Sequence, residues 1–142
     1  MEIRNFGKFE EYVENQEKVL EVLKNVNFEI DYNEEKNGNG YYYIITIERN
    51  NKKQNFDYME GIAHETLTDD NKQEKIINAL HCIMSDLNCI YDRTVIDFIE
   101  EFGYDDIREG EKVFNDILEE ERKIKTLFSQ DEIDIMQENI QL

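Results

Sequence analysis

Few side chains in this sequence could do chemistry: two histidines, His64 and His81, and two cysteines, Cys82 and Cys89. His81, Cys82 and Cys89 superficially resemble a metal-ligand set. Successive helical residues diverge by about 100°, however, so His81 and Cys82 are poorly placed to chelate one ion. Zinc sites use close Cys-x-x-Cys or spaced His pairs, and neither occurs. The two cysteines lie seven apart on one helical face, about 10.5 Å along the axis, too far for a disulfide. Reduced thiols are therefore expected, as in the cytoplasm. His64 and Glu65 could form an acid/base pair, but the Pro-Cys-x-x-Cys companion of a zinc deaminase is missing. Either cysteine could approach His64 as a nucleophile–base pair. Asp69, Asp70, Asp105 and Asp106 are Ca²⁺ or Mg²⁺ ligand types without the EF-hand order, and read better as solvated helix caps. No phosphate-cradling glycine loop, GxSxG or HExxH is present. The expectation is a chain with no catalytic residue, metal or cofactor, which is not an enzyme.

Charge is the stronger signal. Thirty-four Asp and Glu face sixteen Lys and Arg, a formal net charge of -18 over 142 residues. Such a charge opposes compaction by self-repulsion, and favours solubility and attraction to basic partners. Two regions concentrate it. Glu10, Glu14, Glu17 and Glu21 step by 4, 3 and 4. On one helix they would fall within about a 60° arc and run about 16 Å, a row comparable to phosphates along a nucleic-acid strand. Between Asp92 and Glu121 stand twelve acids and three bases, a net of -9. There Glu100, Glu101, Tyr104, Asp105, Asp106, Glu109 and Glu111 are the candidate partner-binding residues, with Phe102, Tyr104 and Phe114 as aromatic anchors. Direct nucleic-acid binding is opposed by the same numbers, since it needs a Lys/Arg footprint.

These residues must be positioned by an α+β fold in one domain, 1–142, with an N-terminal helix, a three-stranded antiparallel meander and three to four helices packed on the sheet and on each other. Thirty-nine percent hydrophobic residues, with eight Phe and eight Tyr, supply a core. Phe9, Val13, Gln16, Leu20 and Leu23 recur at helical spacing and predict a helix over 5–26. The sheet is expected over 28–60. Phe28, Ile30 and Tyr32 alternate, Asn37-Gly38-Asn39-Gly40 is a turn signal, Tyr41 to Arg49 is the best strand, Asn50 to Lys53 turns, and Gln54 to Glu60 returns. The helical part spans 70–140. Asp69 or Asp70 caps a helix over 72–91, striped by Ile76, Leu80, Ile83, Leu87 and Ile90. A short helix over 93–102 ends at Gly103. A longer one over 107–128 buries Val113, Phe114, Ile117, Leu118, Ile124 and Phe128, and Ser129 caps a last helix carrying Ile133, Met136 and Ile140. Tyr41 to Tyr43 would support a homodimer if it formed an exposed edge. No signal-peptide core or membrane-span run is evident, so a cytoplasmic protein that binds no membrane is expected.

The run Tyr42 to Arg49, then Phe56, Tyr58 and Gly61, an apolar helix containing Asp86, and Phe98, Glu100, Glu101, Phe102, Gly103, Tyr104, Asp105 and Asp106 form a recognisable order. Over 41–128 it resembles small acidic proteins of phages, prophages and plasmids of the anti-defence type, anti-CRISPR or antirestriction. The resemblance implies a mobile-element protein acting in a host bacterial cell. Its expected partner is a basic protein or ribonucleoprotein, such as a CRISPR effector or another nucleic-acid-binding defence enzyme. Carboxylates would stand in for phosphates there. The alternative is an immunity or antitoxin-type protein that plugs a basic toxin enzyme. The resemblance brings no catalytic residues.

Overall fold

The computed structural model describes residues 1–36, 41–61 and 65–140. Three strands, β1 (Asn27–Tyr32), β2 (Tyr42–Arg49) and β3 (Lys52–Met59), form an antiparallel sheet in the order β1-β2-β3. Five α-helices complete the α+β architecture: α1 (Gln16–Val22), α2 (Lys72–Ile90), α3 (Val95–Phe102), α4 (Ile107–Leu127) and α5 (Gln130–Asn139). Among the described residues no helix is long and apolar enough to cross a membrane.

The register follows from the side chains. Phe28 and Ile30 of β1, Tyr43, Ile45 and Ile47 of β2, and Phe56 of β3 all point to one buried face. Their period of two leaves Glu29, Asp31, Asn55 and Asp57 on the other, exposed face. The β2–β3 connection is tighter than expected. Asn50 and Asn51 alone make the turn, both left-handed with φ of 53° and 63°, so β3 begins at Lys52 and not at Gln54. Asparagine tolerates that conformation, and two such residues in succession match the twist of a hairpin. Since β2 pairs on both sides, the Tyr41–Tyr43 run is not the exposed sheet edge that was expected to support a homodimer. The Asn37–Gly40 turn lies outside the described residues.

The N-terminal helix over 5–26 is corrected. A 3-10 turn (Gly7–Tyr12) is separated from α1 by an extended Val13 and a left-handed Asn15 at φ 44°. Val13 bridges Ile140 in antiparallel fashion, and the Glu14 N–H donates to the Asn139 carbonyl at 2.8 Å. Pairing with the far end of the chain thus overrides a continuous helical pattern.

The main core joins the sheet's inner face to α1, to Ile76, Ile77, Leu80, Ile83, Met84 and Leu87 of α2, to Ile124 and Leu127 of α4, and to Ile133 and Met136 of α5. We call this the body. Within it Lys75 and Glu60 form a buried ion pair; Lys75 also donates to the Glu65 carbonyl at 2.8 Å, and Tyr58 donates to Glu60 at 3.2 Å. Arg49 grips Glu132 with two bonds of 2.7 Å and donates to the Leu127 carbonyl, tying β2 to the α4–α5 junction. A second, smaller cluster holds Ile90, Phe98, Phe114 and Ile117, where α3 and the first half of α4 fold against the end of α2. We call this the corner. Leu118, expected in the core, is 42% exposed, because it lies on α4 one residue past Ile117 and so turns away from both clusters.

Candidate functional site

The corner is organised around the Phe98 ring. Phe102, Tyr104 and Phe114 lie 4.9, 5.6 and 5.5 Å from it, centroid to centroid. Local signals shape the segment. Asp92 turns the chain at φ 53° after α2, and Arg93 donates to the last carbonyls of that helix, at Asn88 and Cys89. Thr94 and Asp97 form a reciprocal capping box at the start of α3. Gly103 ends α3 in a left-handed conformation, and Asp106 caps α4 by accepting from the Arg108 N–H at 2.9 Å. Gly110 lets α3 approach α4, since a Cβ there would stand 2.6 Å from Cγ1 of Ile99. Tyr104 and Phe114 are therefore packing residues first. Tyr104 is half-buried and Phe114 buried, and Phe102 is the aromatic that reaches solvent.

Around this core the acids remain outside. Glu100, Glu101, Asp105, Asp106, Glu109 and Glu111 are all exposed. Among the described residues Glu101 approaches Arg93 at 3.9 Å, and none of the other five is in an ion pair. Over 97–111 seven acids face one base, Arg108, a net of -6. Ile96, Phe102 and Ile107 stand among them at 64%, 45% and 63% exposure.

From Lys112 onward α4 behaves differently. Lys112 meets Asp116 at 2.9 Å, Arg122 meets Glu119, and Lys125 meets Glu121 at 3.5 Å. The acidic block read between Asp92 and Glu121 thus splits into an unneutralised corner and a largely neutralised helix. The N-terminal row does not form. Glu10 sits in the 3-10 turn, Glu14 in the break beyond it, and only Glu17 and Glu21 share α1. All four are exposed without an ion pair among the described residues, but they do not line up on one helical arc. No protein family, curated protein or solved structure matches this chain.

The chemically suggestive residues separate in the structure. His64 lies outside the described residues. Cys82 and Cys89 are free thiols on α2. Desolvation, then nearby carboxylates with Asp86 foremost, pushes both thiols up, which keeps them protonated and poorly nucleophilic. His81 is half-buried, with a buried Nδ1 that has no hydrogen-bond partner among the described residues. Among the described residues no group of three His, Cys, Asp or Glu could hold a metal. Helix α2 starts after Asn71, which bonds with Thr68, so Asp69 and Asp70 are not its cap.

One pair escaped the sequence reading. Asp86 of α2 and Glu120 of α4 are half-buried carboxyl groups, each of which bears on the ionisation of the other. Desolvation pushes Asp86 up. Desolvation and then the Asp86 charge push Glu120 up to about 9, so the pair keeps one proton at neutral pH. Asp86 is legible as an anomaly in an apolar helix. Glu120, inside a run of three glutamates, is not.

Proposed function

We propose that this chain works by binding, as an acidic inhibitor whose corner occupies a basic, nucleic-acid-binding groove on a protein or ribonucleoprotein of a host defence system. The observation that carries this reading is the set of exposed carboxylates from Glu100 to Glu111, of which only Glu101 has an ion-pair partner among the described residues, on a short helix–turn–helix segment held by its own aromatic core. Fixed carboxylates on ordered backbone need little reorganisation on docking, which favours fast, electrostatically steered association. Exposed Phe102 and Ile96 add apolar surface at the centre of that charge. The resemblance of 41–128 to anti-defence proteins points to the class of partner. Glu10, Glu14, Glu17 and Glu21 lose their place as a phosphate-like row, and the corner replaces them as the docking face.

The test uses the immobilised chain to recover partners from host cells at low and high salt, with an oligonucleotide as competitor. Binding should weaken steeply with salt and yield to the oligonucleotide. Reversing Glu100, Asp105, Glu109 and Glu111 to Lys should abolish it, while Glu17→Lys with Glu21→Lys leaves it nearly intact. Retention by the corner variant, or indifference to nucleic acid, removes the reading. A basic toxin enzyme as the recovered partner would replace defence inhibition with toxin neutralisation.

A further inference from the structure

The two edges of the sheet are finished differently. On β3 the outward main chain meets α4, where the Lys123 ammonium donates to the Asn55 carbonyl at 2.9 Å. On β1 the register gives each residue a direction. The Asn33 N–H donates to the Tyr42 carbonyl at 2.9 Å. Alternation along the β1–β2 ladder then turns the main chain of Asn27, Glu29 and Asp31 towards β2, and that of Phe28, Ile30 and Tyr32 outward. Phe28 is already taken, since it exchanges two hydrogen bonds with Met1, of 2.8 and 2.9 Å. The Tyr32 N–H turns to the Asp31 carboxylate at 2.8 Å. Among the described residues, the N–H and C=O of Ile30 and the C=O of Tyr32 have no partner. A cleft of about 650 Å³ lies along this stretch, with Ile30, Tyr32, Ile44, Thr46 and Lys72 in its wall. Met1 shows that the edge accepts extended chain, and the open stretch begins two residues further on.

Charge selects the occupant. On the outer face of the sheet, Glu48 of β2 meets Lys53 at 3.7 Å, and Asp57 of β3 meets Lys36 at 3.5 Å. Glu29 and Asp31 of β1 are exposed and sit opposite Thr46 and Ile44, and neither is in an ion pair among the described residues. We propose that β1 takes up an extended basic segment of a partner protein as a fourth strand, paired to Ile30 and Tyr32, with Lys or Arg opposite Glu29 and Asp31 and an apolar residue between them. Directly opposed residues project to the same face, so two cations spaced i, i+2 meet both carboxylates. The residue between them follows Ile30 towards the inner side of the sheet.

A second copy of this chain fits the edge worse. Antiparallel pairing about Ile30 sets Glu29 against Asp31, and pairing Ile30 with Tyr32 sets Asp31 against its own copy; like charges directly opposed destabilise a ladder. Because β1 belongs to the body, this surface stands or falls independently of the corner.

The test uses the full chain without an added N-terminal tag, because Met1 lies on the same edge. Three capped peptides are titrated at low salt: Thr-Lys-Val-Lys-Thr, the same peptide N-methylated at its valine, and Thr-Glu-Val-Glu-Thr. Amide NMR should show the Ile30 and Tyr32 signals moving with the first peptide, with slower hydrogen exchange at Ile30. N-methylation keeps the charge but removes the N–H that meets the Ile30 carbonyl, and should weaken binding by about tenfold. The acidic peptide should leave Ile30 unmoved. Glu29→Lys with Asp31→Lys, both at exposed positions, should abolish the response to the basic peptide. Reversal of Glu100, Asp105, Glu109 and Glu111 to Lys should keep it. Equal binding of the N-methylated peptide, or shifts spread over the acidic surface without Ile30, would show plain charge attraction and overturn the added strand. Dimerisation through Ile30 without peptide would put a second copy there instead. No response at millimolar peptide would rule out the edge as a docking site.

Discussion

The body and the corner are both built by packing helices over apolar side chains, but they treat charge in opposite ways. The body buries a cation, Lys75, and satisfies it from several sides with Glu60 and the Glu65 carbonyl. Among the described residues the corner buries no charge and leaves five surface carboxylates without an ion pair. A large core that draws on the sheet and on α1, α2, α4 and α5 can absorb the desolvation of an ion pair. Four buried side chains cannot, and they must also hold together segments that repel one another. The body thus supplies global stability, and the corner presents charge that is free to meet a partner.

The largest test of this contrast lies in the body. Lys75→Met strands a buried Glu60 carboxylate, which costs on the order of 3–5 kcal/mol. Urea unfolding should show that loss for every probe at once, in a single displaced transition. Adding Glu60→Gln should recover much of it, since the Tyr58 hydroxyl still has a partner there. Loss confined to residues around Lys75 would mean that the body is not one cooperative unit.

Phe98→Ala applies a similar insult to the corner. Removing a buried phenyl costs roughly 3–5 kcal/mol where the whole structure must bear it. Here the corner opens locally instead, so the global midpoint should move by less, while amides of α3 and the first turns of α4 lose most of their protection. Hydrogen exchange read beside urea unfolding separates the two effects. A full global shift with no selective loss in the corner would erase the distinction between the regions.

Legibility in the sequence follows the same division between local and distant causes. The three-stranded meander, α2, the Gly103 stop, and Ser129 as the cap of α5 were all readable, since each is set by side chains within a few residues. The helix over 5–26 misled because its apolar spacing runs unbroken through Val13 and Glu14, whereas the break is imposed by Asn139 and Ile140. The acidic stretch from Glu100 to Glu111 was visible as composition. Which carboxylates had counterions was not, because that depends on which side chains share a helix face. Glu60 with Lys75, Arg49 with Glu132, and Asp86 with Glu120 join residues 15, 83 and 34 apart, and no window of local pattern connects them.

The smallest test is the sharpest, because the two regions carry the same device. Thr94 with Asp97 caps α3 in the corner, and Ser129 with Glu132 caps α5 in the body, both as reciprocal capping boxes. Removing either hydroxyl frees one helix N–H and costs about 1 kcal/mol locally. At Ser129 the helix end is fastened to β2 through Arg49 and Glu132, so the loss is shared by the body, and Ser129→Ala should lower global stability by about 1 kcal/mol. At Thr94 the helix answers only to Phe98 and its neighbours. Thr94→Ala should therefore raise corner opening by about fivefold with the urea midpoint unmoved. Equal midpoint shifts would show that the chain unfolds as a single unit in which the corner has no separate equilibrium to regulate.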